Sequence, residues 1–314
     1  MDLVTIDDIR NAAQSVANVA IHTPLLPCPW ADGELWLKPE NLQPIGSFKI
    51  RGAFHAVSQL SAERRAAGIV TYSSGNHAQA VAYAAREFGV PAVIVMPEVT
   101  PAVKVEATRR YGAEVVLVPS AMREIEGERI ARERGMTLIP PYDHSDVIAG
   151  QGTIGLEIVA DLPSVQVVLV PISGGGLASG ISTAVKALHP TAKVYGVEPE
   201  LAADARDSLR AGELVDWAVE DRYRTVADGL RSSLSPLTFE HLRRYLDGVI
   251  TVSEDQIRAA VGILAREARL IAEPSGAVAT AAYVFHSDEL PAGRTVSVVS
   301  GGNLDPALLA SLLV

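Results

Sequence analysis

The sequence predicts an α/β protein of two lobes, with parallel-rich twisted sheets covered by helices. Three observations carry this. Short Val/Ile-rich runs alternate with helical stretches, the apolar runs are nearly unbroken, and aromatics are scarce at 5% while hydrophobic residues reach 48%. Unbroken apolar strands are those of parallel sheets buried on both faces, and a regular strand–helix alternation is how such sheets are connected.

The elements follow in order. Thr5-Ile6-Asp7-Asp8 has the pattern of a capping box, and Ile9, Ala12, Ala13 and Val16 continue it at helical spacing. Strands are expected over 68–72, 92–96, 114–118, 165–172, 193–197, 249–252 and 295–299. Amphipathic or Ala-rich helices are expected over 77–88, 101–111, 121–134, 178–188 and 253–269, the last opened by Ser253 and Gln256 as a second capping box. No low-complexity tract divides the chain and no short repeat is visible. The block 68–143 is expected as a small mobile domain inserted between residues 1–67 and 144–314, which form the larger one.

Composition excludes several classes. Net charge is −10, from 27 basic and 37 acidic residues, with no basic run, so neither a nucleic-acid nor an anionic-membrane partner is expected. The one cysteine, Cys28, permits no internal disulfide and lies in no nucleophile motif. With no membrane-length apolar stretch and no leader pattern, the expected compartment is the cytoplasm.

Four Gly/Ser-rich turns flank apolar runs: Gly46-Ser47-Phe48-Lys49, Ser73-Ser74-Gly75-Asn76-His77, Ser173-Gly174-Gly175-Gly176 and Ser300-Gly301-Gly302-Asn303. Ligands of α/β proteins bind outside the carboxyl ends of strands, where such turns lie, so several of them suggest one shared cleft. The third runs from a strand into a helix. Its backbone N–H groups can converge on a phosphate at the positive end of that helix; the plainer reading is a tight turn that needs positive φ. Nucleotide motifs fit poorly, because Ser179 stands where a dinucleotide fingerprint needs glycine and the Lys49 turn lacks the pattern of a P-loop.

The segment Lys38-Pro-Glu-Asn-Leu-Gln-Pro-Ile-Gly-Ser-Phe-Lys-Ile-Arg-Gly-Ala53 resembles the Schiff-base lysine segment of the threonine dehydratase and serine racemase family, pyridoxal-phosphate (PLP) enzymes with the tryptophan-synthase-β-like fold. The blocks at 73–77, 149–153, 173–177, 227–229, 271–275 and 300–305 match further family blocks in the same order, so the resemblance covers nearly the whole chain.

The resemblance implies a role for each matching residue. Lys49 would carry the cofactor and later take the Cα proton; read without it, Lys49 is a lysine flanked by Phe48 and Ile50. Phe48 would back the pyridine ring, and Asn76 would bond its 3′-oxygen. The backbone of Ser173, Gly174, Gly175, Gly176 and Leu177 would hold the phosphate. Ser300 would face the pyridine nitrogen, with Asp305 as a rival partner. A neutral serine does not hold that nitrogen protonated, which favours loss of a β-hydroxyl over transamination.

Ser73, Ser74, Asn76 and His77 would grip the substrate carboxylate. Ser74 also matches the serine that exchanges the Cα proton in serine racemases, although a serine in such a loop is often only a turn former. Glu198, the carbonyl of Ala202 and Asp204 match a divalent-cation site whose oxygen donors suit Mg²⁺ or Ca²⁺; otherwise this is a solvated acidic loop. In Pro140-Pro141-Tyr142-Asp143, the tyrosine stands where animal serine racemases have asparagine, and looks more like a dehydratase.

The resemblance therefore implies a serine/threonine ammonia-lyase acting on a small hydroxy amino acid, as a homodimer and without feedback through a C-terminal regulatory domain. Serine racemase and 3-hydroxyaspartate dehydratase are the nearest alternatives. A non-catalytic metabolite-binding protein and a nucleotide-binding oxidoreductase stand further off.

Overall fold

A computed structural model describes residues 2–312. Ten strands occur among them: β1 (Leu26–Pro27), β2 (Leu35–Pro39), β3 (Ile69–Tyr72), β4 (Ala92–Pro97), β5 (Glu114–Val118), β6 (Thr137–Leu138), β7 (Val167–Pro171), β8 (Lys193–Pro199), β9 (Gly248–Val252) and β10 (Thr295–Val299). They form a six-stranded sheet in the order β1-β2-β10-β7-β8-β9 and a four-stranded sheet in the order β5-β4-β3-β6. Every pairing is parallel except β1 with β2, which share a short hairpin.

Parallel pairing explains the unbroken apolar runs. In β7, Val167 and Leu169 enter one core with the Pro274–Phe285 helix, while Val168 and Val170 enter another with the Gly176–Leu188 helix. All four are fully buried, so both faces of the sheet are covered. Thr5 and Asp8 form the expected capping box, and so do Ser253 and Gln256. The helix after Ser253 differs from expectation in its last turn. Its α-helical part stops at Ile263, a π-helical turn covers Leu264–Ala268, and Arg269 adopts φ 61°.

Three helices approach one another closely at glycines. A Cβ on Gly150 would lie 2.5 Å from the Gly52 Cα, and one on Gly180 would lie 2.5 Å from the Gly152 nitrogen. The Lys49–Ser58 and Gly176–Leu188 helices are thereby pressed backbone to backbone against the Ser145–Asp161 helix.

A buried charge cluster fixes the same region. The Arg51 guanidinium bonds both oxygens of Glu40, at 2.8 and 2.9 Å, and both of Glu157, at 2.6 and 2.9 Å. Lys38 Nζ reaches Glu157 at 2.6 Å. Burial alone would raise the Glu40 carboxyl, yet the charge and hydrogen bonds of Arg51 hold it below the usual carboxylate range.

Candidate active site

Lys49 opens the Lys49–Ser58 helix, and its amine turns inward. Nζ donates to the Pro141 carbonyl at 2.7 Å and lies 5.1 Å from the centre of the Phe48 ring. Burial pulls the amine down to about 8. The start of this helix has no side-chain cap; instead the Phe48 N–H donates to the Ser300 carbonyl at 3.1 Å, and Ser47 bridges Gly301. The first and fourth glycine-rich turns are thus joined directly.

The third turn leaves β7 and enters the Gly176–Leu188 helix, whose start also lacks a side-chain cap. Gly175 has φ +88°, the left-handed conformation that favours glycine. Among the described residues, the N–H groups of Gly174, Gly175, Gly176 and Leu177 donate to no other group of the chain. Ser173 Oγ accepts the Ser232 N–H at 3.1 Å, closing one side. Tyr142 closes another: its ring lies where a Cβ of Gly174 would stand, and its own Cβ would be 2.9 Å from one on Gly176. Lys49 touches Pro141 and the turn touches Tyr142, so amine and turn contact two successive residues of one strip of chain.

The second turn lies between β3 and the Asn76–Phe88 helix. Asn76 Nδ2 donates to Glu273 Oε1 at 2.6 Å, and its Oδ1 accepts from Asn303 Nδ2 at 2.8 Å. One N–H of its amide is left over. A Cβ on Gly301 would lie 3.1 Å from that nitrogen, so Asn76 and the fourth turn are also neighbours. Ser73 Oγ accepts the Gly75 N–H at 3.3 Å, and Ser74 is half-buried with no hydrogen bond among the described residues. His77 is buried, with Nε2 3.0 Å from the Ile139 carbonyl and Nδ1 without a partner. Burial, with the Lys49 charge adding to it, pulls His77 down to about 3, so the ring is neutral.

Ser300 is buried, its Oγ 3.5 Å from the Ser275 carbonyl. Asp305 instead accepts the Ala307 N–H at 2.7 Å, at the start of the last helix. Glu273 is the site residue that the sequence reading missed, although it lies inside a quoted block. Burial, reinforced by the Asp228 charge, pushes its carboxyl up to about 8.

The acidic loop lies apart from these turns in sequence. Glu198, near the end of β8, accepts the N–H groups of Ala205 at 3.1 Å and Arg206 at 2.8 Å. Burial and the neighbouring Asp204 charge push it well above the usual carboxylate range. Burial also pushes Asp204 up to about 6, against the pull of Arg222. Asp204 Oδ2 is buried without a partner, and Ala202 is buried beside it in sequence. No group of three or more His, Cys, Asp or Glu poised for a metal occurs among the described residues. Two carboxylates and a carbonyl remain a donor set that water could complete.

The residues present fit a phosphorylated aldehyde. There is an inward amine of lowered pKa, a turn with unengaged N–H groups at a helix start, a spare amide N–H on Asn76 and a neutral hydroxyl on Ser300.

The comparisons agree with this geometry. The family model described as pyridoxal-phosphate dependent enzyme matches residues 16–301. The chain is 42% identical to an L-threonine ammonia-lyase of Thermotoga maritima, over 99% of this chain and 78% of that protein. It is 38% identical to an L-threo-3-hydroxyaspartate ammonia-lyase of Saccharomyces cerevisiae, over 100% of this chain and 97% of the other. Among solved structures, maize serine racemase superposes with a TM-score of 0.93 at 35% identity, covering 99% of this chain and 97% of that one. No described helix is long and apolar enough to cross a membrane.

Proposed function

This chain belongs to the family of pyridoxal-phosphate dependent enzymes, and from that premise we propose that it is an ammonia-lyase for a small hydroxy amino acid, converting L-serine to pyruvate or L-threonine to 2-oxobutanoate with release of ammonia. The observation that carries the reading is the buried Lys49 amine, held on the Pro141 carbonyl one residue before the Tyr142 that walls the glycine turn.

When bound, the cofactor supplies an electron sink for the charge left by removal of the Cα proton. The chain's own residues do the rest. Lys49 holds the cofactor and moves the Cα proton, for which an amine of lowered pKa is suited. The N–H groups of residues 173–177 bind the phosphate at the positive end of their helix. Phe48 would pack against the ring, Asn76 would give its spare N–H to the 3′-oxygen, and Ser300 would face the ring nitrogen without charging it. Ser73, Ser74, Asn76 and His77 surround the substrate carboxylate, His77 through the backbone at its helix start since its ring is engaged by Ile139. Loss of the Cα proton and the β-hydroxyl yields an enamine, which water converts to the 2-oxo acid and ammonia.

The half-buried Ser74 hydroxyl, which makes no hydrogen bond among the described residues, favours a second reading as serine racemase, alone or beside elimination. 3-Hydroxyaspartate is the third substrate candidate. Glu198, the Ala202 carbonyl and Asp204 are proposed to hold Mg²⁺ or Ca²⁺, residues 68–143 to move as a small domain, and two copies to pair in the cytoplasm.

A screen of L- and D-serine, L-threonine and the 3-hydroxyaspartate diastereomers, with and without Mg²⁺, reads keto acid and chirality together. Keto acid from L-serine or L-threonine is the expected result. Rapid D-serine formation with little pyruvate overturns the lyase reading in favour of the racemase.

A further inference from the structure

Residues 139–142, Ile-Pro-Pro-Tyr, carry the chain from β6 back towards the Ser145–Asp161 helix. The strip starts as an anchored element, because the Ile139 N–H donates to the Val70 carbonyl at 2.9 Å. The Ile139 carbonyl is taken by Thr71 Oγ1 at 2.7 Å and faces His77 Nε2 at 3.0 Å. Two residues on, the Pro141 carbonyl accepts from Lys49 Nζ. The next residue, Tyr142, packs on the glycine turn.

Two consecutive prolines fix φ near −65° and supply no N–H. Between Ile139 and Tyr142 the strip therefore offers acceptors only. Among the described residues, Lys49 has no carboxylate within ion-pair distance, and the His77 ring, which feels the Lys49 charge, is neutral. This choice of acceptor matters. A carboxylate beside the amine would raise its pKa by roughly 1–3 pH units and keep it protonated. A backbone carbonyl gives the same directional hold through a dipole alone, which leaves burial free to bring the amine down to about 8.

We propose that the Pro141 carbonyl is the fixed perch of the Lys49 amine whenever that amine is not bonded to the cofactor, with Pro140 and Pro141 as positioning residues that hold the perch still. This rests on the reading of Lys49 as the cofactor-bearing amine and goes beyond it by assigning what directs the free amine. The strip aims the amine from one side and shapes the phosphate turn from the other, so the amine's direction is set relative to the turn by the backbone of two residues.

The direct test weakens the carbonyl and nothing else. Incorporating the α-hydroxy acid analogue of tyrosine at position 142 makes the Pro141 carbonyl an ester, a poorer acceptor, and the Tyr142 N–H it removes donates to no group among the described residues. The expected result is parent-level fixation of pyridoxal phosphate to Lys49 by borohydride, KM within about twofold, and turnover lowered about fivefold, the factor for one ordinary hydrogen bond. Trace acetylation of Lys49 in the cofactor-free protein should show its midpoint pH lowered by about half a unit, since the ammonium loses an acceptor.

A second variant, Pro140→Ala with Pro141→Ala, keeps both carbonyls but frees φ. It should fix cofactor normally and turn over about tenfold more slowly, as expected when a reacting group loses its fixed orientation. Parent turnover and midpoint in the ester variant overturn the perch, as does a turnover loss without movement of the midpoint. Parent turnover in the alanine variant overturns the role of the prolines. If borohydride fixes no cofactor to Lys49 in the parent protein, it is the functional reading that fails.

Discussion

The side-chain amide of Asn76 is held at both ends, donating to Glu273 at 2.6 Å and accepting from Asn303 at 2.8 Å. Its orientation is therefore set before any ligand arrives, and its one remaining N–H has a single direction to point.

Glu273 is the costly member of this trio. Its carboxyl stands at about 8 rather than 4.5 because it is buried, with the Asp228 charge adding to the effect. A carboxyl raised in the folded chain contributes stability fully below about 4.5, and that contribution is lost as the pH climbs through about 8. In the cofactor-free protein, Glu273→Gln should match the parent in thermal stability near pH 5. Near pH 8.5 it should be more stable by a few kcal/mol. A difference that does not vary with pH would falsify the protonation of Glu273.

Lys49 has a pH signature of its own. Capture of pyridoxal phosphate needs the neutral amine, so in stopped-flow absorbance the capture rate should rise about tenfold per pH unit below about 8 and level off above it. Lys49→Ala should lose the borohydride-fixed label and about 10⁴-fold in turnover. Lys49→Arg should do no better, since it keeps the charge without a nucleophile.

Arg51 is expected to matter for stability rather than chemistry. Removing one partner from a buried ion cluster leaves the other charges uncompensated, at a cost of about 3–5 kcal/mol. Arg51→Ala should show that loss in urea titration. A cost under about 1 kcal/mol, the worth of a surface pair, would mean that water reaches the cluster.

The cation proposal is tested by melting temperature. If Glu198 and Asp204 hold Mg²⁺, millimolar Mg²⁺ should raise the melting midpoint near pH 7.5, reflecting a stabilisation of about 2.7 kcal/mol at a hundredfold excess over the dissociation constant. The effect should fade near pH 5, because Asp204 stands at about 6 and protons then compete with the ion. Asp204→Asn should abolish it.

Much of this was legible in the chain because the signals were local. The capping boxes at Thr5 and Ser253, the apolar strands and the four glycine turns each announce themselves within a few residues. β2 was not foreseen: Leu35-Trp36-Leu37-Lys38-Pro39 ends in a lysine and a proline, and the buried bonds of Lys38 to Glu157 and to the Thr23 carbonyl make that lysine tolerable inside. β1 and β6 are two residues each and carry no pattern. The helix after Ser145 was missed because its Gly150, Gly152 and Gly155 argue against helix in isolation, whereas close helix contact demands them. Glu273 escaped for a related reason: a single glutamate between Ala272 and Pro274 reads as surface until Asn76 is placed against it.

Gly52, Gly150, Gly152 and Gly180 bring main chain against main chain between the helix that begins at Lys49 and the helix that begins at the third glycine turn. The span between those two helix starts is therefore gauged by peptide groups, which neither change rotamer nor compress. Under the proposed function, a ligand with a fixed length between its aldehyde and its phosphate would be measured against a rigid ruler, and one methyl group added at Gly150 or Gly180 would lengthen the ruler rather than soften it.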